Sequence, residues 1–352
     1  MKTIEFLKQL SEESGVSGYE DNIREILRGH FAPLTDEISV DAMGNLIALK
    51  KGAGNKPSRR IMLAGHMDEI GLIVTTLEKG FIRFTQVGGF DVRTLMGREV
   101  LVHGRRLLPG VIGCRPPHVL SEKEHEKPVP MDKLFVDTGL SEQQLSNQVR
   151  PGDLISIRGK FTELQNGHVS GKAFDDRASV TAMACCLENL QNLSHTWDVY
   201  AVATVQEEVG LRGAMTSAFG VAPDIGIAID VGFGKQPGIP EALYTVELGK
   251  GPALCMGPNI HPRIFETLRT TARQHEIPFQ TEICTGGTGT DANAIQLTRE
   301  GIPTALLSIP LRSMHTPVEM LQIKDIERTG RLLAHFIAGL SDSFYDDLGW
   351  QS

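Results

Sequence analysis

No stretch of this chain stays apolar for long enough to cross a bilayer. Runs such as Ile225–Ile229 and Ala305–Ile309 are soon interrupted, against the about 20 residues that a spanning helix requires. A secretory leader is missing too: residues 1–14, MKTIEFLKQLSEES, alternate apolar and charged residues as an amphipathic helix does. They lack the unbroken apolar segment of a signal peptide, so a cytoplasmic protein is expected. Basic clusters are scarce. Beyond Lys50–Lys51 and Arg59–Arg60 there is none, and the formal net charge is −8, which argues against nucleic acid as a partner. The five cysteines, Cys114, Cys185, Cys186, Cys255 and Cys284, are odd in number and form no CxxC pair. That argues against a disulfide framework and against a thiolate zinc site. Most of the cysteines are expected to be buried, reduced thiols, and any metal must be held by His and carboxylate.

What is present is an ordinary globular composition, 41% apolar and 22% charged, in a chain long enough for two domains. Residues 2–13 and 20–30 read as helices around a turn at Gly15–Gly18. A strand–turn–strand follows over Ile38–Val40, Met43–Asn45 and Leu46–Leu49, then a buried strand at Ile61–Ala64. From Gly71 to Phe161 the texture changes to short segments rich in Val, Ile and Phe (LIVTTL, FIRFTQV, EVLVHG, KLFVDTG, DLISIRG) between turn residues. These predict a small all-β domain inserted into the chain. Ser141–Gln148 is its one helical stretch.

After Gly171 strands and helices alternate. Helices are predicted at Arg177–Gln191, near Arg212–Ser217, at Pro262–Gln274, at Asp291–Arg299 and from Val318 to Leu340. Strands are predicted at Val199–Val205, Asp224–Asp230 and Pro303–Ile309. This alternation implies an α/β domain with a central mixed sheet flanked by helices. It comprises residues 1–70 and 165–352, with the β insertion at 71–164.

Open α/β sheets place ligands at the carboxyl ends of their strands. Those ends carry His66-Met-Asp68-Glu69, then Gln206-Glu207-Glu208, then Asp230, then Met314-His315-Thr316. Lys172-Ala-Phe-Asp175-Asp176-Arg177 stands before a helix. Singly, each has an ordinary explanation: a structural histidine, a helix cap, a solvated acidic pair, a turn aspartate. Pooled, they offer two imidazoles, several carboxylates and no thiolate, a set that suits Zn²⁺, Co²⁺ or Mn²⁺ in a hydrolytic site. Asp175, Glu208 and Asp230 with neutral His66 and His315 supply three negative charges against the four positive charges of two divalent ions. A bridging hydroxide completes the balance. Paired ions activate a shared water, and a separate base must move its proton. Adjacent Glu207 and Glu208 suit that division, and Asp68 is placed to support His66. Gly286–Asp291 lacks the Gly-Lys-Ser/Thr ending of a phosphate loop. It is expected to form a wall of the cleft, with Asp291 capping the next helix.

Taken together, AGHMDEIG at 64–71, VGGFD at 87–91, GVIGCRPPH at 110–118, KAFDDR at 172–177, VQEEVGLRGA at 205–214, IAIDV at 227–231, GGTGTDA at 286–292 and SMHTPVE at 313–319 closely resemble the cytosolic dinuclear metallo-aminopeptidases, the glutamyl or tetrahedral aminopeptidases. Some members of that family carry the label endoglucanase. The resemblance spans nearly the whole chain. It implies a zinc-peptidase type sheet, a PDZ-like inserted barrel that mediates assembly, and homo-oligomers from dimer to tetrahedral dodecamer. It also implies two divalent ions per subunit, Zn²⁺ or Co²⁺. His66 and Asp230 would hold one, Glu208 and His315 the other, with Asp175 bridging them. Glu207 would be the general base, Asp68 would orient His66, and the Asp175–Asp176 peptide would be cis. Substrates would be peptides with a free N-terminus. Departures lie at Met314 and Thr316 beside His315, and at Phe233-Gly234-Lys235 after Asp230, which leaves the preferred first residue open. The rival readings are a carboxypeptidase, dipeptidase or deacylase on the same scaffold, and a catalytically idle assembly scaffold. A cellulase would need two carboxylates flanking a sugar-sized cleft instead of His-bound metals.

Overall fold

The computed structural model describes residues 2–54, 57–119, 121, 127–239 and 246–349. Its centre is an eight-stranded sheet. Across the sheet the order is β1 (Glu37–Val40), β2 (Leu46–Lys50), β12 (Asp198–Thr204), β3 (Arg60–His66), β13 (Ile225–Phe233), β16 (Thr304–Leu311), β14 (Ala253–Met256) and β15 (Gln280–Ile283). The middle strands β12, β3, β13 and β16 run parallel, whereas β1–β2, β2–β12 and β16–β14 pair antiparallel. The sheet is therefore mixed. Helix α4 (Phe174–Asn189) covers β3 and β13 on one face, with α8 (Ile323–Ala338) packed beside it, and α7 (Asp291–Gln296) lies over β13 on the other. Covered on both sides, β3, β13 and β16 are buried almost throughout. That explains why they read as continuous apolar runs.

The chain leaves this sheet at the end of β3 and builds a closed antiparallel barrel. It contains β4 (Gly71–Glu78), β5 (Phe81–Val87), β6 (Glu99–His103), β7 (Leu107–Gly113), β8 (Phe135–Asp137) and β9 (Leu154–Ile157). Alternating inward residues such as Val100, Val102, Leu108, Ile112 and Val136 form a core of their own. The short helix α3 (Glu142–Ser146) opens on a reciprocal cap between Ser141 and Gln144, as its Ser-x-x-Gln sequence dictates. A third, three-stranded sheet joins β10 (Thr162–Glu163), β11 (His168–Gly171) and β17 (Glu319–Gln322).

Three expectations need correction. The helix predicted from Val318 begins only at Ile323, because Glu319–Gln322 forms the strand β17 paired with β11. Strands β14 and β15 lie where no strand was predicted. They bring Cys255 and Cys284 within 6.1 Å at Cα, where the two are joined as a disulfide, so not all thiols are reduced. Cys185 and Cys186 are buried as expected, whereas Cys114 is half-buried. No helix among the described residues is long and apolar enough to cross a membrane.

Candidate metal centre

The strand ends meet where the sequence placed them. His66 closes β3 at the middle of the sheet, Asp230 lies on the neighbouring β13, and Glu207–Glu208 follow β12 on the other side. Gln206 takes a left-handed φ of 55° and turns the chain there. His315 reaches the site from the loop after β16, and its own φ is 58°. Asp175 arrives from the opening of α4, where the Asp175–Asp176 peptide is cis.

Asp175 is the hub. Its Oδ1 lies 3.1 Å from His66 Nε2 and its Oδ2 lies 3.2 Å from His315 Nε2. Glu208 Oε2 stands 3.8 Å from the same His315 nitrogen, and Glu207 Oε2 lies 3.9 Å from His66 Nε2. Two groups result, His66–Asp175–Asp230 and Asp175–Glu208–His315, each with ligand atoms within 4.8 Å of one another. Asp175 belongs to both. Ligands about 2.1 Å from a tetrahedral ion lie about 3.3 Å apart, so these spacings fit two cations sharing one carboxylate. Asp176 faces elsewhere: its Oδ2 accepts the His66 backbone N–H at 3.2 Å and its Oδ1 takes the Ser179 hydroxyl.

The electrostatics call for cations. Burial, reinforced by neighbouring acids such as Asp175 and Asp230, pushes Glu207 up to about 10 and Glu208 and Asp230 each up to about 8. Asp175 goes the other way. Burial would raise it, but the His315 and His66 imidazoles outweigh that and hold it below the usual carboxylate range. Burial acts to lower His66, yet Glu207, Asp175 and Asp68 together keep its imidazole well above the ordinary range. Without counter-cations the cluster retains protons on its raised acids, and divalent ions would displace them.

A second layer of carboxylates fixes this layer through the backbone. Asp68, fully buried, accepts the N–H groups of Glu207 and Glu208 at 3.1 and 3.2 Å and the Ser17 hydroxyl at 2.6 Å. Its Oδ1 lies 3.3 Å from His66 Nδ1. Glu69 accepts Lys172 Nζ at 2.6 Å and faces Arg177 at 3.4 Å, while Arg177 Nε donates to Met67 O at 3.2 Å. The end of β3 is thereby tied to the start of α4. The barrel also reaches the site. A Cβ on Gly88, whose φ is +80°, would lie 3.5 Å from Glu208 Cβ, and one on Gly89 would lie 3.5 Å from His315 Nδ1. The VGGFD turn is thus a wall of the cleft.

Sequence reading missed Glu319. Only 2% exposed, its Oε2 accepts the N–H groups of Phe174 and Asp175 at 2.7 and 3.1 Å, and its Oε1 accepts that of His315 at 2.9 Å. One carboxylate therefore clamps the backbones of the hub aspartate and a facing histidine. Glu319→Gln turns an amide donor toward N–H groups. Its expected effect is a roughly 10- to 100-fold loss of divalent-cation affinity, measured by calorimetric metal titration; wild-type affinity would remove Glu319 from this role. Asp291 also differs from expectation. Thr290 occupies the cap position of α7, and Asp291 is buried beside the cluster, its Oδ2 accepting the Thr204 hydroxyl at 2.5 Å.

Comparison with known proteins agrees with this architecture. The family model described as M42 glutamyl aminopeptidase matches residues 44–332. The lysyl aminopeptidase of Pyrococcus furiosus is 38% identical over 336 residues, covering 93% of this chain and 94% of that protein. The TET aminopeptidase structure from a marine sediment thaumarchaeon superposes with a TM-score of 0.93 at 34% identity, covering 99% of each chain. The TET1 peptidase of Pyrococcus horikoshii, described as assembling into a tetrahedron or a large octahedral shell, gives a TM-score of 0.83 at 34% identity. It covers 96% of this chain and all of that one. On the extent of these matches, this chain belongs to the M42 glutamyl aminopeptidase family of hydrolases.

Proposed function

We propose that the protein is a dinuclear aminopeptidase that removes the first residue from peptides with a free N-terminus. The observation that carries the reading is Asp175, which presents one oxygen to His66 and the other to His315 at the centre of two ligand groups. His66, Asp175 and Asp230 would hold one divalent ion, and Asp175, Glu208 and His315 would hold a second, Zn²⁺ or Co²⁺ by the nitrogen and oxygen donor set. When bound, such a pair supplies Lewis acidity and brings the pKa of water toward neutrality. Glu207 is the general base. Its carboxyl group lies at the rim of the cluster without belonging to either ligand group. It takes a proton from the attacking water and passes it to the leaving amine. Asp68 orients His66 and, through the two backbone N–H groups, holds Glu207 and Glu208 diverging.

In this reading residues 1–70 and 165–352 form the catalytic unit, and the PDZ-like barrel at 71–164 serves assembly into a closed homo-oligomer; the Pyrococcus horikoshii relative is described as assembling into a tetrahedron or a large octahedral shell. The test is a matched peptide pair. An unblocked peptide is expected to be cleaved from its N-terminus, and the N-acetylated form to react about 10- to 100-fold more slowly, because a lost charged hydrogen bond costs about 1.5–3 kcal/mol. Equal rates on the two would reject an aminopeptidase in favour of a deacylase or endopeptidase.

A further inference from the structure

We infer that Glu282 is a specificity determinant that selects substrates with a cationic first side chain, lysine or arginine. The inference rests on the aminopeptidase reading above. It begins with register. Asp230 stands opposite Ser308, Ser308 opposite Ala253, and Cys255 opposite Glu282. Paired residues point to one face of a sheet and alternate residues share it. Asp230, Gly232, Ser308 and Glu282 therefore all lie on the face that carries the metal cluster. The Glu282 carboxyl group approaches β13, so that its Oε2 would lie 3.5 Å from a Cβ on Gly232, with Ser308 Oγ equally near that point.

The carboxyl group is in an unusual state for a structural residue. Glu282 is half-buried, yet its Oε2 is shut off from water and accepts no hydrogen bond among the described residues. Burial raises its pKa, and the Ser308 hydroxyl offsets this only in part. A largely buried carboxylate that lacks a charged donor is costly, and a cation relieves it best. Among the described residues no Lys or Arg is paired with it, so a ligand can supply the charged donor.

The distance suits one ligand class. At about 3.3 Å per residue, Gly232 lies about 6.6 Å along the strand from Asp230. The extended four-carbon stem of lysine spans about 6 Å from Cα to Nζ. A peptide whose amino end is held at Asp230 can therefore lay its first ammonium or guanidinium group against Glu282. An acidic side chain meets like charge there, and an apolar one leaves the oxygen unpaired.

Steady-state hydrolysis of lysyl, leucyl and glutamyl p-nitroanilides by the metal-loaded full-length enzyme tests this. The wild type is expected to favour the lysyl anilide in kcat/KM, and Glu282→Gln to lower the lysyl-to-leucyl ratio by about 10- to 100-fold, the range of a charged hydrogen bond. Glu282→Lys is expected to bring the glutamyl anilide above the lysyl one. A lysyl-to-leucyl ratio unchanged in both variants, with anilides still hydrolysed, overturns the role of Glu282 and leaves the aminopeptidase reading standing. Failure of the loaded wild type on all three anilides overturns that reading, and the inference with it.

Discussion

Glu207→Gln is expected to lower kcat by about 10²- to 10⁴-fold while both cations stay bound. The change is isosteric, so the packing around a side chain only 9% exposed is kept. The backbone N–H of residue 207 still donates to Asp68, at 3.1 Å in the native protein. What disappears is the ability to carry a proton. Glu207 lies outside both ligand groups, so bound metal measured by elemental analysis should remain at the wild-type ratio, and KM should change far less than kcat. Turnover within a few-fold of wild type would move the base elsewhere; loss of one ion would make Glu207 a ligand.

Asp175→Asn is expected to remove both ions, whereas Glu208→Gln removes one. The contrast follows from geometry: Asp175 is common to the two ligand groups, while Glu208 belongs only to the one with His315. An amide offers one neutral oxygen where two charged ones faced two imidazoles at 3.1 and 3.2 Å. Uncompensated buried charge is costly, so neither site should bind well once the shared carboxylate is gone. Titration of chelator-treated protein should show no tight site in Asp175→Asn and one in Glu208→Gln. Equal stoichiometry in the two variants would sink the bridging role.

Much of this site was legible because parallel central strands announce themselves. Ile61–Ala64, Val199–Val205 and Pro303–Ile309 are apolar on both faces, and the polar residues that follow them fall on one edge of the sheet. The barrel was equally visible in its short segments rich in Val, Ile and Phe between turn residues. The division of roles between Glu207 and Glu208, and the choice of Asp175 over Asp176, came from the family resemblance, because adjacent acids have no distinguishing pattern of their own. Edge strands were lost. Gln280–Ile283 is four residues long with a single apolar side chain, Ile283, too little pattern to separate from loop. β17 was absorbed into the following helix because Leu321 continues the apolar spacing of Ile326 and Leu333. The true start is marked by the Gln322 side chain, which accepts the Lys324 N–H at 2.6 Å. Glu319 could not be identified at all, since its partners are backbone N–H groups about 145 and 4 residues away in the chain, at Phe174 and His315.

The interleaving of the main sheet sets an order of events during translation. β3 emerges from the ribosome early, yet its neighbours β12 and β13 follow only after the whole barrel has been made. The barrel strands pair only with one another, so this part can fold while β3 still lacks both flanking strands. Non-local pairing of this kind is slow and leaves apolar edges open in the interim. His315, which completes the second ligand group, is made after all the other members of both groups. On the dinuclear reading, a nascent chain that stops short of His315 would hold at most a single ion, so hydrolytic competence would wait until that loop has been made.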